Sequence, residues 1–436
     1  MKKLIMSIAI SLILSLAFIT QAAEKDFVVD QLIKQDTSTQ FSTIQAAVTA
    51  ANNFITQNNT NIVKINIDKG TYSPKNTIKV GNNIMLTGTI DPLTNKPETI
   101  ISGSNNNERI FDLTGLCYVE DLTLENGSSD DAITGGGAAY MESNSDGQPT
   151  LMDCTITDCK SDNDGGGVFC KSGKIINCTI SKCKSGNDGG GAYCTGKSII
   201  TGGTFYDNNT PIDDGNEGGG IYLGTNGMAY GGTSADPLIV RDNLSETGGG
   251  VFCKGTITGG VFSHNKTTKN NGQGGGIFLA GGTLNGFPSH PVLISYNSAE
   301  YGAGVYDAGG SIIGTYNSGM TPFVKTSLIW IIANHALHNN PTGGGGYGGG
   351  IYYSGEATIT GALIMYNRAY KDGAGTATHN AYDNGVINCI MGYNIIDSTP
   401  HSESGNVEYF HTKPVVSNIS KLLKSNIEKY LKEYIG

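Results

Sequence analysis

The apolar residues of this chain come in short runs, separated by polar and glycine-rich segments that return at a regular distance. One motif recurs nine times: a glycine triplet, or Gly-Ala-Gly, followed by a small or aliphatic residue and usually an aromatic one. Its copies start at residues 135, 165, 189, 218, 248, 274, 302, 348 and 373. The steps are 24 to 30 residues long, apart from one of 46. A period of this size predicts a stack of equivalent structural units.

A second motif precedes the glycine triplets and consists of an apolar residue, two further residues and an asparagine. It ends at Asn208, Asn265, Asn297, Asn334 and Asn367, and Cys159 and Cys183 take the place of the asparagine in two units. Asparagine tolerates left-handed backbone conformations. Its amide can also bond to copies of itself above and below in a stack. We therefore expect one asparagine per unit to join successive units.

The runs between these motifs are too short for helices and alternate with the period of two that is typical of strands. A unit of this length cannot bury its apolar face alone, whereas units stacked in register bury a continuous core. The pattern predicts an all-β, single-stranded right-handed parallel β-helix of about 12 coils, since parallel connections are almost always right-handed. The aliphatic residues after the triplets are expected to point inward, as for Val168, Ile221, Val251, Ile277 and Ile351.

Both ends of the repeat region have the pattern of caps. Residues 41–54, FSTIQAAVTAANNF, carry apolar residues at helical spacing and predict a helix that closes one end of the core. Residues 419–435 are amphipathic and predict a closing cap, with docking of a partner as the alternative. The predicted organisation is a signal peptide over 1–23, an N-terminal cap with a helix over 24–60, the β-helix over 61–400 and a C-terminal tail, a helical cap, over 401–436.

The N-terminus has the composition of an export signal. Lys2 and Lys3 precede an apolar run over 4–19, and small residues follow at Ala22 and Ala23. No other stretch approaches the roughly 20 apolar residues that span a bilayer. We therefore expect a secreted or cell-surface protein without a transmembrane segment after signal removal, with outer-membrane association as an alternative.

Composition narrows the classes of partner. The net charge is −10, charged residues are 15% of the chain, and the only arginines are Arg109, Arg241 and Arg368. Nucleic acid and anionic membranes need clustered basic residues, so neither is expected as a partner. The 63 glycines and the small polar residues leave room only for a narrow core, which agrees with a solenoid.

The two repeated motifs, FxxN and GGG[AVI], over roughly residues 120–395, resemble the repeats of chlamydial polymorphic outer-membrane proteins and their relatives. Separately, FSTIQAAVTAA followed by GTY resembles the opening of pectin-lyase-like and pectinesterase-like β-helices. The first resemblance implies a surface-exposed or secreted adhesin-like protein. The second implies membership of the pectin-lyase-like right-handed β-helix superfamily and bears on fold more than on activity.

Acidic residues directly before the triplets form the first candidate site. In a stack, Asp164, Asp188 and Glu217 would lie one above another, and repulsion between them would be relieved by a hard cation such as Ca²⁺. The alternative is a set of solvated turn residues, because Asp-Gly suits turns. No other cofactor is expected.

An aromatic stripe is the second candidate. One aromatic residue follows each aliphatic residue after the triplets, as in Phe169, Tyr193, Tyr222, Phe252 and Phe278. Aliphatic and aromatic positions alternate, so one of the two rows faces outward. If the aromatic row is outside, it forms a platform for sugar rings or a partner surface; if it is inside, it belongs to the core.

The nine cysteines leave their pairing open. Cys154, Cys159 and Cys170 return 24 residues later as Cys178, Cys183 and Cys194. Equivalent residues in adjacent coils would lie about 4.8 Å apart, within the Cα range of a disulfide. Buried stacking without a bond is the favoured interpretation, because cysteine packs as a small apolar residue. No connectivity is predicted.

These observations favour an adhesin-like, monomeric binding protein without catalysis, whose ligand is a glycan or a cell-surface protein. The alternative is a polysaccharide lyase or hydrolase of the pectin-lyase-like superfamily. The catalytic motifs Asn-Thr-Asp, Gly-His-Gly and Arg-Ile-Lys of polygalacturonases do not occur, so no catalytic residue is assigned.

Overall fold

The computed structural model describes residues 25–396, apart from several gaps within that range. The gaps are 31–35, 59–61, 104–107, 132, 212–214, 232–236, 269–270, 288, 315–328, 338–344, 355–357, 372, 379–385, 388 and 393. The predicted signal peptide (1–23) and C-terminal tail (401–436) lie outside the described residues.

Most coils of the chain contribute one strand to each of three long sheets, which we call sheets A, B and C. Sheet A has 14 strands: Gln40–Phe41, Lys25–Val29, Val63–Ile67, Ile84–Thr87, Cys117–Glu120, Thr150–Met152, Lys174–Ile176, Ile199–Thr201, Met228–Tyr230, Thr256–Thr258, Thr283–Gly286, Ser311–Gly314, Thr358–Thr360 and Val386–Ile387. Sheet B has 12 strands: Gly70–Tyr72, Thr99–Ser102, Thr123–Glu125, Thr155–Thr157, Thr179–Ser181, Gly203–Tyr206, Leu238–Arg241, Gly260–Ser263, Val292–Ser295, Ile329–Ile332, Ala362–Met365 and Ile390–Gly392. Sheet C has 11 strands: Ile78–Val80, Phe111–Thr114, Ala139–Glu142, Val168–Cys170, Ala192–Cys194, Ile221–Leu223, Val251–Cys253, Ile277–Leu279, Val305–Asp307, Ile351–Tyr353 and Thr376–Thr378.

Two small sheets occupy the corner between sheets B and C. One has three strands, Ser128–Ser129, Lys160–Ser161 and Lys184–Ser185. The other has six, Leu244–Ser245, Lys266–Thr267, Ser298–Ala299, His335–Ala336, Arg368–Ala369 and Ile395–Ile396. Successive coils pair in parallel in every long sheet, as in Val168 with Ala192 of sheet C. The predicted single-stranded right-handed parallel β-helix is confirmed, and the 12 strands of sheet B match the expected number of coils.

The glycine triplets form the turn that leads into sheet C. The first glycine of eight triplets has a positive φ, for example 64° at Gly165 and 62° at Gly248. The second glycine faces the next coil closely: a Cβ on Gly166 would lie 2.3 Å from the carbonyl oxygen of Gly190. Glycine is therefore required at the first position by conformation, whereas the second position leaves room for no more than a small residue and carries alanine in two copies, Ala303 and Ala374.

The triplet at 135 departs from the predicted alignment. Its positive φ, 85°, belongs to Gly136, and Ala139 rather than Ala138 pairs with Val168 in the next coil. The equivalent turn is thus Gly136-Gly137-Ala138, one residue later than the triplet. Matching the glycines letter by letter misplaces the side chains of strand Ala139–Glu142 by one position, which exchanges its inner and outer faces.

A column of asparagines runs through the stack beside sheet B. It comprises Asn208, Asn243, Asn265, Asn297, Asn334, Asn367 and Asn394. From Asn208 to Asn367, each Nδ2 donates to Oδ1 of the asparagine in the following coil, at 2.9 to 3.2 Å. The predicted amide ladder is confirmed. Asn243 and Asn394 belong to it as well, and both follow an apolar residue by three positions, so the motif was present in the sequence.

Each asparagine in the column also satisfies backbone groups. Nδ2 of Asn297 donates to the Phe262 carbonyl at 2.9 Å, and its Oδ1 accepts from the backbone N–H of Asn265 at 2.9 Å. The column begins where the backbone N–H of Cys183 donates to Asn208 at 3.0 Å. The side chains therefore close the hydrogen bonding of a corner at which the strands of sheet B end.

The N-terminal cap is the predicted helix, Ile44–Asn58, which we call α1. Thr43 precedes it and accepts a hydrogen bond from the backbone N–H of Ala46 at 3.2 Å, as an N-cap residue does. Its buried face consists of Ile44, Ala47, Val48 and Ala51. This face packs on the first strands of sheet A and closes the N-terminal end of the core.

The inward positions of the three sheets form one continuous apolar core. The aliphatic residues after the triplets are wholly buried there, as predicted; Ile221 and Ile277 are both 0% exposed. All nine cysteines lie within the described residues, and none forms a disulfide. Three pairs stack in adjacent coils with hydrogen-bonded thiols: Cys154 with Cys178, Cys159 with Cys183 and Cys170 with Cys194. These thiol contacts, together with burial, raise the pKa of Cys154, Cys159 and Cys194, which keeps them protonated and unreactive.

A carboxylate interrupts the apolar column of sheet C. Asp307 pairs with Leu279 in one adjacent coil and Tyr353 in the other, and is 0% exposed. Its Oδ1 accepts from the backbone N–H of Gly310 at 2.6 Å, while Oδ2 has no hydrogen-bond partner. Burial raises the pKa of Asp307 to about 6, because a charged carboxylate without a counter-charge is poorly tolerated in the core.

Replacing Asn297 with alanine is expected to lower the free energy of unfolding by about 2–6 kcal/mol, because two buried backbone partners lose their bonds at about 1–3 kcal/mol each. Denaturant unfolding followed by circular dichroism measures this. Asn53→Ala, at an exposed position in α1, is the matched control and should change stability little. Equal effects of the two substitutions would show that the column is not a stabilising element.

Asp307→Asn is expected to reduce the pH dependence of stability. The folded pKa is raised, so the stabilising contribution is complete below about pH 4 and is lost as pH rises through about 6. The asparagine variant should therefore gain stability relative to the parent between these values, by up to about 3 kcal/mol. Unfolding curves across this pH range test the expectation, and parallel profiles for the two proteins would contradict it.

Candidate functional site

Aromatic rings form a continuous column on the outer face of sheet C. Their positions alternate with the inward Val168 row, and they form a cluster separate from the main core. We call this set the ring column: Tyr140, Phe169, Tyr193, Tyr222, Phe252, Phe278, Tyr306 and Tyr352. Successive ring centroids lie 4.5 to 5.6 Å apart and most neighbouring rings are stacked. All five predicted stripe residues belong to it.

Exposure varies along the ring column. Tyr222, Phe252 and Phe278 are only 7%, 3% and 9% exposed although they lie outside the core. Phe169 and Tyr193 are half-buried. The ring surface that remains accessible to a ligand is therefore concentrated at the N-terminal end of the column.

Tyr140 extends this accessible end, and the sequence alignment missed it because its triplet is displaced by one residue. Its hydroxyl donates to Glu142 at 2.7 Å, and Glu142 forms an ion pair with Lys171 at 2.6 Å. The Arg109 guanidinium lies over the Tyr140 ring at 5.3 Å from its centroid. Arg109 is itself held by Asp131 at 3.2 Å, so charged groups fix the position of the first ring.

The predicted acidic ladder is present on three successive coils beside the ring column. Asp164 Oδ1 accepts from the backbone N–H of Asp188 at 3.2 Å, and Asp188 Oδ1 accepts from that of Glu217 at 2.8 Å. We call these three residues the acid ladder. The acid ladder ends at Glu217. In the next three coils the equivalent position carries Thr247, then Gln273 and then a tyrosine. Of the other acids near the triplets, Glu246 accepts from the Gly215 backbone, while Asp372 lies outside the described residues.

Burial and mutual repulsion make the acid ladder less acidic than free carboxyl groups. Burial raises the pKa of Asp188 to about 6, with a smaller contribution from the charge of Asp164. Burial, and then the charge of Asp188, raises the pKa of Glu217 to about 7. Burial also raises the pKa of the Tyr193 hydroxyl, to which the charges of all three acids add. The turn that follows Asp188 lies against the strand of Tyr193, because a Cβ on Gly189 would be 2.9 Å from the Tyr193 Cα, so the acid ladder is close to the accessible rings.

Lys254 connects the acid ladder with the ring column, and no repeated motif in the sequence indicates this role. Its ammonium donates to the Tyr222 hydroxyl at 2.9 Å and lies 5.0 Å from the Phe252 ring centroid. The hydrogen bond to Tyr222 is the largest cause of its raised pKa, and the charges of Glu217 and Asp188 add to it. The site thus combines aromatic faces, three carboxyl groups and one ammonium group.

A calcium ion at the acid ladder stays a prediction. In the part of the chain that the structure describes, no group of three or more His, Cys, Asp or Glu side chains is arranged to hold a metal ion. One carboxylate oxygen of Asp164 and one of Asp188 already accept backbone hydrogen bonds. The raised pKa values indicate that protonation is a second way to relieve the repulsion.

Comparisons with known proteins identify structural similarity but no family. No protein-family model and no curated protein sequence matches the chain. The A-module of the mannuronan C-5 epimerase AlgE4 from Azotobacter vinelandii is similar in structure, with a TM-score of 0.43 and 14% identity over 80% of this chain and 91% of that one. A pectin methylesterase from Aspergillus niger gives a TM-score of 0.28 and 11% identity over 86% and 87%. Iota-carrageenase complexed to iota-carrageenan fragments gives 0.32 and 13% over 92% and 96%.

These TM-scores are low, so the fold assignment rests on the strand register and no activity is transferred from these proteins. The resemblance to chlamydial polymorphic outer-membrane protein repeats likewise stays a resemblance of motifs. Among the described residues, no helix is both long and apolar enough to cross a lipid bilayer.

Replacing Glu217 with glutamine is expected to stabilise the protein at pH 8 and to have little effect at pH 5. The folded pKa is raised to about 7, so the neutral form is favoured in the folded state and stability is lost as pH rises through that value. Thermal melting at both pH values measures the effect.

The same melting experiment with excess EDTA, and then with excess CaCl₂, tests whether the acid ladder binds calcium. A melting midpoint that calcium raises in the parent but not in Glu217→Gln would establish a calcium site. A midpoint that calcium leaves unchanged would rule the site out.

Proposed function

We propose that this chain is an exported, surface-exposed or secreted β-helix protein that binds a glycan without catalysis, in the manner of an adhesin. The observation that carries the proposal is the accessible end of the ring column, Tyr140, Phe169 and Tyr193, beside the acid ladder. Aromatic faces pack against the apolar faces of sugar rings, and carboxylates accept hydrogen bonds from sugar hydroxyls.

Charge narrows the class of glycan. The chain has a net charge of −10, and the acid ladder flanks the rings at which a ligand would stack. A polyanionic polysaccharide would be repelled at this surface. The ligand favoured by the site is therefore a neutral glycan, carried by a cell surface or by a matrix.

Export is proposed from the N-terminal sequence. The charged start, apolar run and small residues of positions 1–23 have the composition of a signal peptide. A protein held at a surface would present the accessible end of the ring column, Tyr140, Phe169 and Tyr193, to ligands outside the cell. The motif resemblance to polymorphic outer-membrane proteins supports the same assignment.

The alternative is a polysaccharide lyase or hydrolase, and one observation favours it. Glu217, with its pKa raised to about 7, lies close enough to Asp188 for the two charges to interact, and Lys254 is nearby. Pairs of acids with shifted pKa values are typical of sites for general acid–base chemistry. Incubation with neutral and acidic polysaccharides separates the two functions: new reducing ends or unsaturated products that disappear in Glu217→Gln would establish catalysis.

Tyr193→Ala is expected to weaken glycan binding about tenfold, because truncating an aromatic anchor in a binding site typically costs more than about 1 kcal/mol. The ligand is first identified on a glycan array with the purified full chain, and affinity is then measured by titration calorimetry. Tyr118→Ala is the matched control, since Tyr118 is half-buried on the outer face of sheet A. Equal losses in the two variants would place the binding surface elsewhere.

A further inference from the structure

The corner between sheets B and C carries one residue directly before each asparagine from Asn208 to Asn367, or before the cysteine that replaces it in two coils. All of these residues have a left-handed backbone, with φ between 54° and 57°. We call them the corner row: Asp158, Lys182, Asp207, Asp242, His264, Tyr296, Ala333 and Tyr366. The turn therefore sets the backbone conformation, while the side chain differs from coil to coil.

Bulky side chains enter the corner row in the later coils. Three of the first four positions carry aspartate, which tolerates a left-handed backbone because its short side chain bonds to nearby backbone groups. For a bulky side chain such as those of Tyr296 and Tyr366, a positive φ is a true outlier. Strain of this kind persists only where the surrounding structure holds it in place, and it clusters at binding sites.

His264 and Tyr296 form a stacked pair at the surface. Their ring centroids lie 5.2 Å apart and the ring planes differ by 16°. His264 is exposed, and Tyr296 is 46% exposed. The residues that follow them belong to the asparagine column, where the backbone N–H of Asn265 donates to Oδ1 of Asn297 at 2.9 Å. The two rings are therefore accessible to a ligand and lie on a rigid part of the rod.

A basic row lies on the other side of the asparagine column. Its members in four successive coils pair in register and include no acid: Lys266, Ser298, His335 and Arg368. Lys266 is exposed and takes part in none of the ion pairs formed by the described residues. It follows His264 by two residues, so the two Cα atoms are at most about 7 Å apart.

The acids at the flanking positions, Asp242, Glu246 and Glu300, already have partners. Asp242 forms an ion pair with Arg241 at 2.6 Å. Glu246 and Glu300 each accept a backbone hydrogen bond at 2.7 Å, and Glu300 is only 1% exposed. The Lys266 ammonium is thus available to an anion beside the stacked pair.

The geometry points to a second glycan site: we propose that His264, Tyr296 and Lys266, which we call the corner site, bind a terminal sugar that carries a carboxylate. The apolar face of the sugar packs on the exposed rings, and its carboxylate accepts a charge-assisted hydrogen bond from the ammonium group. A single carboxylate suits the site, because the net charge of −10 repels a long polyanion. This site is additional to the neutral-glycan site proposed at the ring column.

The test uses the purified full chain and immobilised glycans that end in glucuronic, galacturonic or sialic acid, each compared with its methyl ester. The ester keeps the sugar ring and removes the charge. We expect at least one acid to bind about tenfold more tightly than its ester, because a hydrogen bond between charged groups is lost in the ester. Biolayer interferometry measures the affinities.

Lys266→Gln is expected to remove most of the difference between acid and ester. Lys184→Gln is the matched control, since Lys184 is exposed and occupies the equivalent position three coils earlier, through Asn209 and Leu244. It changes the net charge by the same amount and should leave binding unchanged.

Tyr296→Asn separates a binding role from a structural one. Loss of the ring should weaken binding of the acid about tenfold. The thermal midpoint should not fall, because asparagine fits the left-handed backbone. Lys182→Asn, four coils earlier in the corner row, makes the same backbone change and should leave binding unchanged.

Tyr193→Ala tests independence from the ring column. It should leave binding of the acidic glycan unchanged, and Tyr296→Asn should leave binding of a neutral glycan unchanged, so each site can fail without the other. Equal affinities for acids and esters, or equal losses in Lys184→Gln and Lys266→Gln, would overturn the proposal. Loss of acidic-glycan binding in Tyr193→Ala, or unchanged binding or a lowered midpoint in Tyr296→Asn, would overturn it as well.

Discussion

The constraint on which the rest of this structure depends is the hydrogen-bonded spacing between coils. Parallel strands about 4.8 Å apart force each side chain to lie over its equivalent in the next coil. A residue type is therefore tolerated only if it is compatible with a copy of itself at that distance. Isoleucine meets this condition by packing, asparagine by donating and accepting along the axis, and tyrosine by stacking its ring.

Carboxylates do not meet this condition, which makes the acid ladder informative. Asp164, Asp188 and Glu217 occupy a position where most other described coils carry neutral residues. Burial raises the pKa of all three, and the charge of the preceding acid adds to the rise at Asp188 and Glu217. Asp307 is another exception, located inside the core between Leu279 and Tyr353. Positions whose residues are not tolerated next to a copy of themselves are thus the positions where function or a response to pH is expected. Columns of residues that do tolerate such a copy provide stability.

Much of the architecture could be predicted from the sequence because its determinants repeat. The positive φ of Gly165 and its equivalents requires glycine, and the amide bonds of the asparagine column require asparagine, so both appear as letters at a fixed period. The predicted register was wrong at the triplet at 135, because the positive φ lies at its second glycine, Gly136, and not at its first. This displacement concealed that Tyr140 belongs to the ring column. The burial of Tyr222 and Phe252 could not be predicted, because it depends on how closely neighbouring rings and Lys254 approach one another. Contacts between coils of different sequence, such as Lys254 with Tyr222, have no periodic signature.

The asparagine column also gives the rod an electrical direction. Every amide from Asn208 to Asn367 donates toward the following coil, so the side-chain dipoles add instead of cancelling. An inserted or deleted coil with its own asparagine would leave this alignment unbroken, because the bond on either side is the same. The rod can therefore gain or lose whole asparagine-bearing coils at little cost in stability, whereas the two cysteine-rich coils, which carry Cys159 and Cys183 at this position, lie before the column begins.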